Sequence, residues 1–236
     1  HELMTPLTAM RGYIETLTMK ELDLEEQTRE RYLHIIDDET HRLEHIIGDL
    51  LDLARLEGGG GTLRREEVPV QALFERVHSR HERELTARRI TLAANIGHGA
   101  ETVIGDPDRL EQALQNLAAN ALRHTPDGGE IVMSADVVGH KLRLRVRDSG
   151  TGIPPEHLPL IFDRFYKADA SRKAAGGSGL GLSIVKAIVE RHGGTVSAHN
   201  EGGAVFDILL PAAERKGPPA AADSELSLDD DESDAA

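Results

Sequence analysis

Cysteine and tryptophan are both absent from the 236 residues, and only seven residues are aromatic. Without cysteine there is no disulfide and no thiolate-held metal, a usage compatible with a reducing compartment. With so few rings, a core has to be built from aliphatic side chains, and the 39% apolar content suffices for a modest one. No apolar run approaches the roughly 20 residues a helix needs to cross a bilayer, and no secretory leader is visible. Positive charge is in deficit: 27 Lys and Arg face 41 Asp and Glu, a net charge of −14. A chain of that sign is not expected to bind nucleic acid by charge. Seven acidic residues and no basic one lie between Asp223 and Asp234, so residues 213–236 read as an acidic disordered tail. The sequence opens on His1 inside what reads as a helix, which leads us to expect a fragment whose sensor or membrane segment lies upstream.

What is present divides at glycine. Leu3, Leu7, Met10, Ile14 and Leu17 recur at spacings of four and three, a heptad seam. Pro6 lies within it, and proline is expected to kink an established helix. Residues Glu21 to Glu26 read as a turn. A second helix is expected from about Thr28 to Glu57, with Leu33, Ile36, Thr40, Leu43, Ile47, Leu50 and Ala54 continuing the seam. One hairpin cannot cover both faces of such a seam; two copies can, as a four-helix bundle, so a homodimer is expected. Gly58 to Gly61 then form a flexible linker.

Beyond the linker the pattern changes. Val70 to Ala87 looks helical, and Ile90 to Ile96 and Thr102 to Ile104 look like strands. Asp106 to Arg123 is predicted helical, with Asp106 as cap and Pro107 in the first turn. Ile131 to Val138 and Leu142 to Val146 alternate as strands joined through Gly139-His140. Residues 154–178 are long and irregular. A helix is expected from near Gly179 to near His192, followed by strands Thr195 to His199 and Ala204 to Leu210. The fold class is thus an all-α helical hairpin, a four-helix bundle as a dimer, followed by an α+β sandwich with a mostly antiparallel sheet under one helical layer. The expected division is 1–57 hairpin, 58–63 linker, 64–212 sandwich and 213–236 tail.

Four stretches carry chemistry. Gly176-Gly177-Ser178-Gly179-Leu180-Gly181 precedes a helical run, and glycines before a helix N-terminus can cradle phosphate or simply make a tight loop. No Lys-Ser/Thr pair follows, so this is not a Walker loop, and no parallel-strand pattern precedes it, which disfavours a Rossmann site. Asn116 and Asn120 share one helix face; a neutral amide oxygen suits Mg²⁺ already carrying phosphate, and two surface amides are the bland alternative. Asp148-Ser149-Gly150-Thr151-Gly152 follows an apolar strand, where a buried carboxylate could accept from an exocyclic amine such as that of adenine, or merely cap a turn. His1-Glu2-Leu3-Met4-Thr5-Pro6 offers an imidazole that is nucleophilic near neutrality beside a carboxylate able to fix its tautomer. Phe162, Phe165 and Tyr166 are expected to anchor a lid. His41-Arg42-Leu43-Glu44-His45 matches a metalloprotease string, but Leu43 lies on the seam and no third ligand is apparent.

In this order the four stretches resemble the catalytic core of sensor histidine kinases of two-component systems, from His1 to about Pro211. The resemblance implies a dimeric phosphotransfer bundle followed by an ATP-binding sandwich of the gyrase and Hsp90 kind. It implies His1 as phosphoacceptor with Glu2 as its acidic neighbour, and Glu2 with Thr5 as a Glu-x-x-Thr motif for dephosphorylating a response regulator. It implies Asn120 as Mg²⁺ ligand with Asn116 in the same site, and Arg123 and His124 facing phosphate. It further implies Asp148 as the adenine-reading carboxylate, with Gly150, Gly152, Gly177, Gly179, Leu180 and Gly181 around the nucleotide. Lys167, Arg172 or Lys173 could then reach the γ-phosphate. ATP and Mg²⁺ are the implied cofactors. A second copy and a response regulator receiver domain are the implied partners, with this part of the chain cytoplasmic and any membrane contact upstream. Met4 departs from the family's usual Arg. A dimeric scaffold that binds nucleotide without turnover, and an ATP-gated clamp, are the competing function classes.

Overall fold

The computed structural model describes residues 3–19, 24–59, 62–168 and 178–212. Two helices lead, α1 (Met4–Thr18) and α2 (Glu26–Glu57). They pack side by side, with the rings of Tyr13 and Tyr32 5.0 Å apart and the Thr40 hydroxyl 3.3 Å from the Met10 sulfur. Pro6 falls in the first turn of α1 rather than its interior.

The seam behaves as half of a larger interface. Leu7, Ile14, Leu33 and Ile47 stay 47–55% exposed. The buried α2 residues are instead Ile46, Leu53 and Leu56, at 1–3% exposure, which join the core of the second unit. The heptad pattern did not single out this face.

The second unit begins with β1 (Glu66–Pro69), a strand the sequence pattern did not show, paired antiparallel with β3 (Thr102–Gly105). Between them run α3 (Val70–Arg88) and β2 (Thr91–Ile96). After β3 come α4 (Pro107–His124), β4 (Glu130–Val138), β5 (Lys141–Asp148), α5 (Gly181–Arg191), β6 (Thr195–Asn200) and β7 (Ala204–Pro211). The main sheet has the order β2-β4-β5-β7-β6. Its β2–β4 pair is parallel and its other three pairs are antiparallel, so the sheet is mixed.

Period-two alternation decides which face of the sheet is covered. On β5, Leu142, Leu144 and Val146 point into the core, beside Ile131, Met133 and Ala135 of β4 and Phe206, Ile208 and Leu210 of β7. Arg143, Arg145 and Arg147 take the opposite face. Arg145 makes a two-point pair with Asp207, at 2.7 and 3.1 Å, and Arg143 pairs with Asp136 at 2.9 Å. Helix α4 supplies the other half of the core. Leu110, Ala113, Leu114, Leu117, Ala118, Ala121 and Leu122 are all at most 1% exposed, and each leucine contributes about 1.5–3 kcal/mol by burial.

Asp106 caps α4 as expected, accepting from the N–H groups of Asp108 and Arg109 at 3.1 and 3.3 Å. Burial opposes its charge, but the Arg109 N–H and the Arg64 guanidinium outweigh that and hold its carboxyl below the usual range. His192 locks the same corner. Its Nε2 accepts from the Asp106 N–H at 3.0 Å and its Nδ1 donates to the Ile188 carbonyl at 2.7 Å. Those two bonds require the neutral ring, and burial pushes its pKa down.

A folded-state pKa below the unfolded one gives stability that is complete above about 6.5 and lost as pH falls further. His192→Phe is therefore expected to cost about 1–3 kcal/mol at pH 7.5. It should also flatten the loss of stability between pH 7 and pH 5, read by urea unfolding against the parent chain.

Candidate functional site

Asp148 ends β5 at 3% exposure, the register placing it opposite Ile131. Its Oδ1 accepts from the Gly150 N–H at 2.8 Å and from the Ala204 N–H at 3.2 Å. Its Oδ2 is also buried and has no hydrogen-bond donor among the described residues. A buried oxygen without a donor costs free energy, so a ligand carrying an N–H group would satisfy it.

The backbone around this carboxylate is packed too closely for side chains. A Cβ at Gly150 would lie 2.4 Å from the His124 carbonyl, which brings the loop after β5 against the end of α4. A Cβ at Gly203 would lie 1.9 Å from the Asp148 carbonyl, so the β6–β7 turn presses on the same residue. Arg88 fixes the end of α4 from below, donating to the carbonyls of Leu122 and Thr125.

On α4, Asn116 and Asn120 are half-buried on one face, as their spacing requires. Asn116 Nδ2 donates to the Gly181 carbonyl at 3.3 Å, tying α4 to the first residue of α5. The Asn120 amide makes no hydrogen bond to another described residue. Arg123 and His124 are exposed in the last turn of α4.

The irregular stretch leaves and returns at one point. Phe165 N–H donates to the Gly179 carbonyl at 2.9 Å, with φ of +61° at Phe165 and +72° at Gly179. Of the three aromatics expected to anchor a lid, Phe162 packs edge-on to Phe206 at 6.4 Å. The Tyr166 hydroxyl lies 2.5 Å from His157 Nδ1. Phe165, whose backbone is left-handed, is 38% exposed. Lys167 is half-buried beside this neck. Helix α5 starts at Gly181 rather than near Gly179, because Gly179 is left-handed and the Ser178 hydroxyl takes the Leu180 N–H at 3.1 Å. The Leu180 side chain is fully buried, which leaves only its backbone to face a ligand. Gly152 carries φ of +76° in the loop after β5.

Helix α2 touches this region directly. Asp49 accepts from the Ser178 hydroxyl at 2.7 Å, Asp52 accepts from Gln112 Nε2 at 3.0 Å, and Glu57 pairs with Arg164. These contacts, and the Asn200 turn that faces Gly152, were not among the expected site residues. The string Asn200-Glu201-Gly202-Gly203 marks a turn, but nothing local says what it faces. His1, Glu2, Gly177, Arg172 and Lys173 lie outside the described residues. Thr5 is exposed in the first turn of α1. Of the His41-to-His45 string on α2, His41, Glu44 and His45 are exposed, and among the described residues no group of three metal-ligating side chains occurs.

Residues 105–214 match the family model for histidine kinase-, DNA gyrase B- and HSP90-like ATPases, and residues 1–59 match that for the His Kinase A phospho-acceptor domain. The sensor protein SrrB of Staphylococcus aureus is 37% identical over 218 residues, covering 91% of this chain and 37% of that protein. The chain thus spans little more than a third of the curated relatives it matches. Among solved structures, the histidine kinase AdeS of Acinetobacter baumannii superposes with a TM-score of 0.73 at 27% identity, covering 90% of this chain and 98% of that one. The histidine kinase ThkA, solved in complex with the response regulator protein TrrA, gives 0.72 at 30% identity, covering 92% and 60%. The isolated ThkA catalytic domain gives 0.56 at 31%, covering 63% and 96%. Among the described residues no helix is long and apolar enough to cross a membrane.

The two neighbouring turn glycines should separate. Gly202 has φ of +66° with open space around it, whereas Gly203 abuts the Asp148 backbone. Gly202→Ala is expected to cost about 1 kcal/mol, the left-handed penalty alone. Gly203→Ala should cost distinctly more, because backbone must move; thermal unfolding of the two variants compares them.

Proposed function

The chain belongs to the sensor histidine kinases, and on that premise we propose that it binds ATP, phosphorylates His1 and passes the phosphoryl group to an aspartate of a response regulator. The observation that carries this is Asp148: a buried carboxylate with one oxygen held by two N–H groups and the other left for a donor. The exocyclic amine of adenine supplies that donor. Asn116, Asn120 and the Phe165–Gly179 neck border the same region, where the triphosphate would extend. The loop glycines Gly150 and Gly152, with Gly177, Gly179 and Gly181, let backbone approach the nucleotide.

Asn120 has a half-buried amide oxygen without a described partner, which fits a Mg²⁺ ligand. Mg²⁺ bound with the triphosphate would offset charge that develops on its oxygens. Arg123, His124 and Lys167 add donors towards phosphate, and Leu180 contributes its backbone. In the transfer, an imidazole nitrogen of neutral His1 attacks the γ-phosphorus. An N–P bond forms, the bond from the γ-phosphorus to its bridging oxygen breaks, and its electron pair leaves with ADP. Glu2 would accept from the other ring N–H and fix the tautomer. With Thr5, Glu2 would also serve dephosphorylation of the regulator by positioning water.

The exposed seam of Leu7, Ile14, Leu33 and Ile47 supports a homodimer, with two hairpins closing a four-helix bundle. This part of the chain would work in the cytoplasm, with any membrane tether outside it.

Asp148→Asn is expected to weaken ATP binding 10- to 100-fold, about 1.4–2.7 kcal/mol, with the fold retained; calorimetric titration measures it. Incubation with γ-labelled ATP should give acid-labile, base-stable label that His1→Gln abolishes without loss of ATP binding. Label on serine or threonine would sink the proposal. Gly179→Ala, whose Cβ would lie 2.8 Å from the Phe165 backbone, should weaken ATP binding and leave the dimer intact by light scattering.

A further inference from the structure

Asn200 ends β6, 47 positions beyond Ile153, and its side chain grips that residue's backbone at two points. Its Oδ1 accepts from the Ile153 N–H at 2.8 Å and its Nδ2 donates to the Ile153 carbonyl at 2.7 Å. The same Oδ1 lies 2.8 Å from where a Cβ at Gly152 would be, so the amide lies directly against the left-handed glycine. A side chain here does what a neighbouring strand does in a sheet: it satisfies both polar groups of one residue and sets its register.

The other end of the turn holds the other end of the loop. Gly203 presses on the Asp148 carbonyl, and the Ala204 N–H bonds Asp148 Oδ1. The three-residue β6–β7 turn and the strand ends that flank it therefore clamp residues 148–153 at both ends, Asn200 on Ile153 and Gly203-Ala204 on Asp148. With Oδ1 taken by the N–H groups of Gly150 and Ala204, the carboxylate presents Oδ2 to a ligand.

We infer that Asn200 is a positioning residue for base recognition. It holds the 148–153 loop so that Asp148 meets an exocyclic amine, and it thereby sets the preference for adenine over guanine nucleotides. This rests on the ATP-binding function proposed above. The chemical reason is that adenine offers an amine at its six position where guanine offers a carbonyl oxygen, which a fixed carboxylate oxygen repels. A loop free to shift lets the carboxylate move aside, so the cost to guanine falls while the bond to adenine weakens.

The test is titration of the full chain with ADP and with GDP, which separates binding from phosphoryl transfer, alongside thermal unfolding. Asn200→Ala is expected to weaken ADP binding about tenfold and GDP binding little, so that the ADP-to-GDP ratio falls by a similar factor. Asn200→Asp, which keeps the acceptor for the Ile153 N–H, should fall between Asn200→Ala and the parent. A lower melting temperature with an unchanged ADP-to-GDP ratio would make Asn200 a structural staple only and overturn the inference. Unchanged ADP affinity in Asn200→Ala would overturn it equally. A parent chain that binds neither nucleotide would remove the ATP-binding proposal itself, and this inference with it.

Discussion

A buried carboxylate with two N–H groups on one oxygen and, among the described residues, none on the other is the constraint on which the candidate site depends. Asp148 could escape the cost of its unsatisfied Oδ2 by turning to water or moving away. It does neither, because the backbone on either side is held: Gly150 against the end of α4, Gly203 against the Asp148 carbonyl, and Asn200 against Ile153. The glycines here are sites of contact as much as of flexibility. Each permits an approach that a single methyl group would block, and together they keep the carboxylate in place before any ligand arrives.

The second constraint runs between the two units. Helix α2 buries Ile46, Leu53 and Leu56 against the sandwich and adds polar contacts from Asp49, Asp52 and Glu57. The apolar contacts are non-directional and supply adhesion, whereas the polar ones choose a register. Asp49 bonds Ser178, whose hydroxyl also takes the Leu180 N–H at the entry to α5. A shift of α2 along its axis is therefore felt at the neck of the irregular stretch. The exposed apolar residues Leu33 and Ile47 give α2 a second apolar surface besides the one it buries against the sandwich.

Much of this architecture was legible from pattern alone. The alternation on β5, Lys141-Leu142-Arg143-Leu144-Arg145-Val146-Arg147, states its two faces outright, and the structure puts apolar residues inside and paired arginines outside. Helix α4 and its Asp106 cap were equally plain, because helix periodicity and capping are local properties. Strand β1 was missed because four residues of Glu-Glu-Val-Pro carry no alternation of their own and exist as a strand only through β3. The start of α5 was misplaced by two residues because a left-handed glycine and a serine cap look, in sequence, like the helix they precede.

Residue type and spacing by themselves determined the order of elements other than β1, the candidate chemistry of Asp148, Asn116 and Asn120, and the absence of cysteine chemistry, since these follow from local geometry and composition. Tertiary structure alone decided which oxygen of Asp148 is left for a ligand, that Asn116 reaches the first residue of α5, and that Asn200 closes on Ile153. The reason is physical. Hydrogen-bond satisfaction of a buried group depends on atoms brought together from distant parts of the chain, and no local pattern encodes which of them will arrive.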